Sequence, residues 1–201
     1  MTAAMSLDGC AFGVRHDYGS ALDLGIATRA TVAVGALDHR PYVVDGRKGS
    51  DFVGLSRGGF GNPFDVLTLS GKPLAQDISG AIVASMKGTR VAAKAVELKP
   101  ALSVHEAGAA LHAAGTQRAV MIRLREWKAD AMIDTGLDYD LELRVLGRDG
   151  KVLVSKVRQG NEALGSAEVS RPGGASRVLP RFRRMMELLF REAEVVEALH
   201  R

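Results

Sequence analysis

The residues with the clearest chemical potential lie in the segment 54–58, which reads GLSRG. These letters match the G-x-S-x-G motif, in which a nucleophilic serine stands at a sharp turn between a strand and a helix. Histidines and aspartates follow further along the chain, so partners for a catalytic triad are present. However, three glycines and one proline lie within the seven residues after Ser56, and they disfavour a helix there. We therefore expect that the protein is not an enzyme. The alternative is a small serine hydrolase that uses Ser56.

The overlapping segment 57–62 is the first candidate for recognition of a partner. An arginine followed by glycine amides can bind an anion, but the segment lacks the ending of a P-loop and the register of a dinucleotide site. The simpler interpretation is a glycine-rich turn or bulge at a sheet edge, which would let Phe60 and Phe64 pack onto the core. A cytosolic anion- or nucleotide-binding module is the second alternative. The candidate recognition loop comprises Arg57, Gly58, Gly59, Phe60, Gly61 and Asn62.

Trp127 is the only tryptophan and ends a predicted strand. A tryptophan at such a place can anchor an interface, although it more often closes the edge of its own core. We include it as a possible part of the recognition surface. No cysteine and histidine cluster has the spacing of a zinc site, and His105 and His112 are too far apart to share a metal on a helix. The sequence therefore predicts neither a metal nor a cofactor.

Composition excludes several classes of protein. The chain has 201 residues, of which 46% are hydrophobic and 25% charged, enough to close one core and too apolar for intrinsic disorder. No run reaches the ~18 to 20 apolar residues of a membrane-spanning helix, which excludes a polytopic membrane protein. The formal net charge is +4, but basic and acidic residues alternate instead of forming a basic stripe. We therefore expect no nucleic-acid partner.

Hydrophobic periodicity predicts the elements of the first half of the chain. The apolar run 30–36 is typical of a strand buried on both faces, and 41–44 with 51–56 suggest a hairpin. Helices are predicted over 73–87 and from Ser103 to residue 115, and a strand over 91–98 lies between them. Ser103 begins the second helix because Glu106 stands three residues later, as in a capping box.

The second half predicts a three-stranded meander followed by a helix. Residues 118–128, 137–145 and 151–158 alternate apolar and polar, and arginines of the first strand would face acids of the second. Residues 160–176 are predicted to form a loop, and an apolar stripe from residue 180 onward predicts a final helix. The sum is an α+β two-layer sandwich, with a mixed or antiparallel sheet of about five or six strands and three helices packed on it.

The first residues differ in character from the rest. Residues 1–28 are small and weakly patterned, so we interpret them as a residual signal and lipobox followed by a flexible tether. Residues 29–201 would then form a single α+β domain. The one cysteine, Cys10, cannot form an internal disulfide, and its sequence context LDGC resembles the lipobox of bacterial lipoproteins. Asp8 departs from the small or aliphatic residue that is usual in that motif.

The segment 53–63, VGLSRGGFGNP, followed by an amphipathic helix and a strand, is similar to a group of outer-membrane lipoproteins. These proteins are related in layout to the YajG type, and their domain resembles the amino-terminal module of TolB. The resemblance implies a signal peptide and acyl chains, palmitate among them, on Cys10. It also implies a non-enzymatic, periplasm-facing module with a binding or envelope-assembly role, whose partner is another envelope protein or a cell-wall component. Ala11 lacks the aspartate that retains lipoproteins in the inner membrane of enteric bacteria, which favours the outer membrane over the cytoplasmic alternative.

Overall fold

The computed structural model describes residues 13–20, 22–58, 60–166 and 177–200. Eight strands of this part form one mixed sheet, and five helices pack on it. The strands are β1 Arg15–His16, β2 Val32–Asp38, β3 Phe52–Arg57, β4 Pro63–Thr68, β5 Ala93–Ala95, β6 Arg118–Ala131, β7 Asp134–Leu146 and β8 Val152–Ser166. The helices are α1 Pro41–Val44, α2 Leu74–Gly88, α3 Val104–His112, α4 Val178–Phe190 and α5 Ala193–His200.

The long strand β6 is the centre of the sheet. Its first half pairs in parallel with β2, its last residues pair in parallel with β3, and its other edge pairs with β7 in antiparallel fashion. Beyond β3 lie β4 and then β1, beyond β2 lies β5, and β8 pairs with β7. Because strands twist and β6 also carries a register shift between Leu124 and Glu126, the sheet curls into half a barrel.

The core has two parts, one on each face of the sheet. Strand β2 is buried along its whole length, as predicted, because its side chains alternate between the two parts. Val32 and Val34 join the larger cluster, which packs under α2, α4 and α5. Ala33 and Leu37 join the smaller cluster under α3. The apolar run in β2 is therefore explained by helices on both faces of the sheet.

The described residues between 13 and 28 pack on the sheet, where the sequence analysis expected a tether. Strand β1 pairs in parallel with β4, and four later side chains are at most 6% exposed. They are Tyr18, Leu22, Leu24 and Ile26. Alternate apolar residues in this segment are therefore part of the hydrophobic core, although glycines lie between some of them. The division of the chain into a leader and one domain stays a prediction, but the packed part begins earlier than residue 29.

The predicted two-layer sandwich of five or six strands and three helices is wrong. The fold is a curled mixed sheet of eight strands, with α3 on the face opposite α2 in the described part of the chain. Strand β4 was missed behind the glycine-rich segment, and β1 was missed inside the expected tether. The predicted strand 41–44 is helix α1, because Pro41 at the first helical position favours a helical turn.

Several local predictions are confirmed. Helix α2 lies where the apolar spacing placed it, and α3 begins with the predicted capping box of Ser103 and Glu106. The meander β6–β7–β8 is present, with β8 extending into the expected loop. On its charged face the Arg125 guanidinium lies 2.7 Å from the Asp140 carboxylate. The predicted final helix is instead two helices, α4 and α5.

A buried ion pair connects the strands around the centre of the sheet. Arg40 follows β2 and has no exposed surface, and its guanidinium binds both carboxylate oxygens of Asp38 at 2.8 and 2.7 Å. The same guanidinium donates to the backbone carbonyls of Phe52 at the start of β3 and of Trp127 in β6. One side chain therefore satisfies a buried carboxylate and ties β2, β3 and β6 together.

Replacing Arg40 by methionine is expected to lower the free energy of unfolding by about 3 to 5 kcal/mol, because Asp38 would stay buried without a partner. Urea denaturation followed by circular dichroism measures the change. The matched control is Arg47→Met, since the Arg47–Asp45 pair is 71% and 44% exposed and its loss should change the free energy of unfolding little. Equal effects of the two substitutions would contradict the role assigned to Arg40.

Acid is expected to destabilise the protein through His16. Burial lowers the pKa of His16 to about 4, from 6.5, so below pH 6.5 the unfolded chain binds a proton that the folded protein does not. Stability contributed by the neutral ring is therefore present above pH 6.5 and is lost as the pH falls toward 4. In His16→Gln, the loss of stability between pH 7 and pH 4 should be smaller by roughly 3 kcal/mol.

Urea titrations at several pH values measure this difference. The matched control is His105→Gln, the same substitution at an exposed position on α3. An unchanged pH profile in His16→Gln would show that another group carries the acid sensitivity.

Candidate functional site

Two neighbouring hairpin loops form the most distinctive surface of the molecule. One loop joins β3 to β4 and contains most of the candidate recognition loop, and the other joins β6 to β7. The loops emerge side by side because Ser56, near the end of β3, pairs with Ala131 at the end of β6. A Cβ atom placed on Gly61 would lie 4.0 Å from the Met132 methyl carbon, so the two loops approach each other closely.

The outer side chains of these loops are apolar and exposed. Phe60 is 99% exposed and Ile133 is 79% exposed, while Met132 and Phe64 are 51% and 47% exposed. The prediction that Phe60 and Phe64 pack onto the core is therefore wrong. We call Phe60, Phe64, Met132 and Ile133 the tip surface. Sequence reasoning missed Met132 and Ile133, although two apolar residues at a hairpin turn, where polar residues prevail, are a usable signal.

Arg57 is committed to an ion pair at the base of the two loops. Its guanidinium donates to both carboxylate oxygens of Asp130, at 2.7 and 2.6 Å. This hydrogen bonding raises the pKa of Arg57 and lowers the pKa of Asp130, so each charge stabilises the other. The positive charge of Arg57, which was predicted to be able to bind an anion, is therefore paired with Asp130 of the same chain.

The loop amides are also partly used. The amide of Gly58 donates to the carbonyl of Asn62 at 3.0 Å, and the amide of Gly61 donates to the carbonyl of Gly58 at 2.8 Å. Gly61 has a φ of +80°, a conformation that glycine adopts without strain. Gly59 lies outside the described residues. Because Gly58 and Gly61 close the hairpin turn, their amides are not directed at an external anion.

Trp127 lies in the core and has no exposed surface. Its indole nitrogen donates to the hydroxyl of Tyr18 at 2.8 Å, and its ring meets Tyr18 and Phe182 edge to face at centroid distances of 6.2 and 5.4 Å. It therefore joins the N-terminal segment to α4, and it is not part of a recognition surface in this fold. The burial of Trp127 favours the core interpretation that the sequence analysis set beside the interface.

Ser56 lies inside the extended strand β3, with β4 on one side and β6 on the other. The strand continues through Arg57 into a hairpin loop and not into a helix. A nucleophile elbow requires a sharp turn from strand to helix at the serine. The G-x-S-x-G match is therefore a coincidence of letters on a sheet strand.

A cleft in the described part of the chain lies away from the tip surface. It has a volume of about 680 Å³ and opens near Asp38 at the end of β2 and Pro73 before α2. Charges of both signs line it, with Lys72 and Lys99 beside Glu97. Its wall includes Asp77, whose pKa is raised by desolvation and which accepts a hydrogen bond from the Ser70 hydroxyl. This mixture of charges defines no single class of ligand.

The described residues hold no group of three or more His, Cys, Asp or Glu side chains arranged as metal ligands. Within the same part of the chain, the helices are too short or too polar to cross a bilayer. Cys10, the predicted site of lipid attachment, lies outside the described residues.

Comparison with known proteins found no matching family model and no matching curated protein. Solved structures that the comparison matched include a DUF330 protein from Xanthomonas campestris, at 13% identity over 89% of both chains and a TM-score of 0.47. They include a PelC dodecamer from Paraburkholderia phytofirmans, at 11% identity over 88% of this chain and 93% of that chain, with a TM-score of 0.42. They also include a lipoprotein from Neisseria meningitidis, at 13% identity over 80% and 96% of the two chains, with a TM-score of 0.32.

A fluorophosphonate probe is expected to leave Ser56 unlabelled, because a serine within a sheet strand lacks the strand-to-helix turn of a nucleophile elbow. Gel fluorescence and peptide mass spectrometry of the probe-treated protein measure the labelling, and Ser56→Ala is the matched control. Labelling that disappears in Ser56→Ala would restore the hydrolase alternative.

Proposed function

We propose that the chain is a lipid-anchored envelope module that is held through Cys10 on the periplasmic face of the outer membrane and works by binding, without catalysis. Its partner would be another envelope protein or a cell-wall component, as the resemblance to YajG-type lipoproteins and the TolB amino-terminal module implies. The observation that carries the proposal is the direction in which the chain joins the fold.

Strand β1 runs parallel to β4, and β4 begins at the hairpin loop that carries Phe60. The carbonyl of Val14 accepts a hydrogen bond from the amide of Leu67, so the pairing with β4 starts just before β1. The chain therefore approaches β1 from the side of the tip surface. β1 itself lies beside Leu67 and Thr68 at the far end of β4. Residues before it that continued in the same direction would run back toward the tip end, where we propose that the lipid attaches.

The distance between the anchor and the fold is short. Cys10 lies five positions before Arg15, and five extended steps along the chain span at most ~17 Å. A flexible tether through residue 28, as expected from the sequence, would have let the domain move well away from the membrane. Packing of Tyr18 and the following apolar residues removes most of that reach. The proposed module therefore stays close to the lipid surface.

Triacylation would make this attachment durable. Each methylene that enters the bilayer contributes ~0.8 kcal/mol, and stable anchoring needs more than one chain. The lipidated cysteine of bacterial lipoproteins carries several acyl chains, so no membrane-spanning helix is required for the address that we propose.

The proposal predicts that Cys10 is acylated in a bacterium that produces the full-length protein. Intact-protein mass spectrometry of the membrane fraction should show the added diacylglyceryl and acyl groups, and Cys10→Ala should lose both the added mass and the membrane association. The matched variant Ala11→Asp should keep the lipid but move the protein to the inner membrane in an enteric host. A water-soluble wild-type protein with an unmodified Cys10 would refute the lipid anchor.

A further inference from the structure

We propose that the tip surface is a second membrane contact, whose four apolar side chains enter the interfacial region of a lipid bilayer. The inference deepens the proposed function and rests on it for the identity of the membrane. The geometry of the two hairpin loops, however, can be tested on a protein that carries no lipid.

The large apolar side chains of the tip surface are exposed to solvent. Phe60 is 99% exposed and Ile133 is 79% exposed, values at which these large apolar side chains contribute almost nothing to the core. Met132 and Phe64, at 51% and 47%, lie in the same two loops or directly beside them. Large apolar groups gathered at one exposed place on a soluble domain mark a contact with an apolar partner.

The two hairpin loops lie at the same end of the sheet. Both β3 and β6 run toward this end of the sheet, and both β4 and β7 run away from it. The two turns therefore form the end of the sheet, and they stand beside each other through the pairing of Ser56 with Ala131. Two adjacent hairpin turns with apolar tips can enter a bilayer surface together, because their strands keep the backbone hydrogen bonds satisfied.

The direction in which the chain joins the fold favours a bilayer, and not a protein, as the partner of the tip surface. Gly13 is the first described residue, and it leads into the Val14 contact with β4 on the tip side of β1. Cys10 lies three positions before Gly13, a reach of ~10 Å. β1 lies beside the last residues of β4, so residues before Gly13 that continued along β4 would place an anchor at Cys10 at the tip end. The apolar side chains of the tip surface would then face the same leaflet.

The charges around the loops fit a neutral lipid surface. At their base, Arg57 and Asp130 neutralise each other. Asp134, at the start of β7, is exposed and negative, so the surface has no excess of positive charge to attract anionic headgroups. The contact should therefore depend on apolar burial, and it should be observed with uncharged phosphatidylcholine.

The experiment uses the full chain with Cys10→Ala, so that no lipid is attached, and vesicles of neutral phosphatidylcholine. Phe60→Trp places a fluorophore on the tip surface, and the parent protein supplies the background from the buried Trp127. Vesicles should shift the Phe60→Trp emission to shorter wavelength, and brominated acyl chains should quench it. The matched control is Leu69→Trp, at a 58% exposed site just beyond the opposite end of β4, which should show neither effect.

A second measurement gives the size of the contact. The double substitution Phe60→Ser and Ile133→Ser should lower the vesicle partition coefficient by about 100-fold, since burial of each such side chain is equivalent to about one power of ten. Leu69→Ser should leave the coefficient unchanged. Circular dichroism checks that all variants fold, as expected for substitutions at exposed sites.

Three results would overturn the proposal: unchanged Phe60→Trp emission with vesicles, equal partitioning of the double variant and the parent, or a blue shift that grows with protein concentration without lipid. The last result would assign the tip surface to a second copy of the chain. Because the Cys10→Ala variant used in these experiments cannot be acylated at that position, these results are independent of acylation in cells. The lipid anchor and the tip contact can therefore fail separately.

Discussion

The buried pair of Asp38 and Arg40 is the interaction on which the centre of the fold depends. A carboxylate removed from water requires a partner, and Arg40 meets that need while donating to carbonyls of neighbouring strands. The requirement also determines the local path of the chain. After β2 ends, the anchored Arg40 is followed by the single turn of α1, whose amides at Val43 and Val44 donate back to the Arg40 carbonyl.

A second constraint joins the two ends of the described chain. Tyr18 from the N-terminal segment, Trp127 from β6 and Phe182 from α4 pack edge to face around a single hydrogen bond between the hydroxyl and the indole. Because these residues are far apart in the sequence, their contacts form only when the whole sheet is assembled. The segment before β2 is thus part of the cooperative core, and it cannot act as a free linker.

Sequence reasoning succeeded where periodicity and local chemistry agree. The spacing of Leu74, Ile78 and Ile82 located α2, and the Ser103 and Glu106 pair located the start of α3. It failed where tertiary contacts override the local pattern. A strand of two residues such as β1 has no periodicity to detect, and the glycines before β4 concealed a hairpin. The sequence was sufficient to place the candidate loop at an exposed turn. It could not show the pairing of Arg57 with Asp130, because these residues are 73 positions apart.

The parallel pairing of β1 with β4 has a mechanical consequence. Tension applied through the residues before β1 would act along the axis of β1, so the hydrogen bonds that the carbonyls of Val14 and His16 accept from Leu67 and Leu69 would be loaded together in shear and not opened one after another. Behind them, the ring of Tyr18 packs against Phe182 and would resist being pulled out. A pull on this end of the chain would therefore be passed through β4 into the hairpin and the rest of the sheet, which would resist as one body.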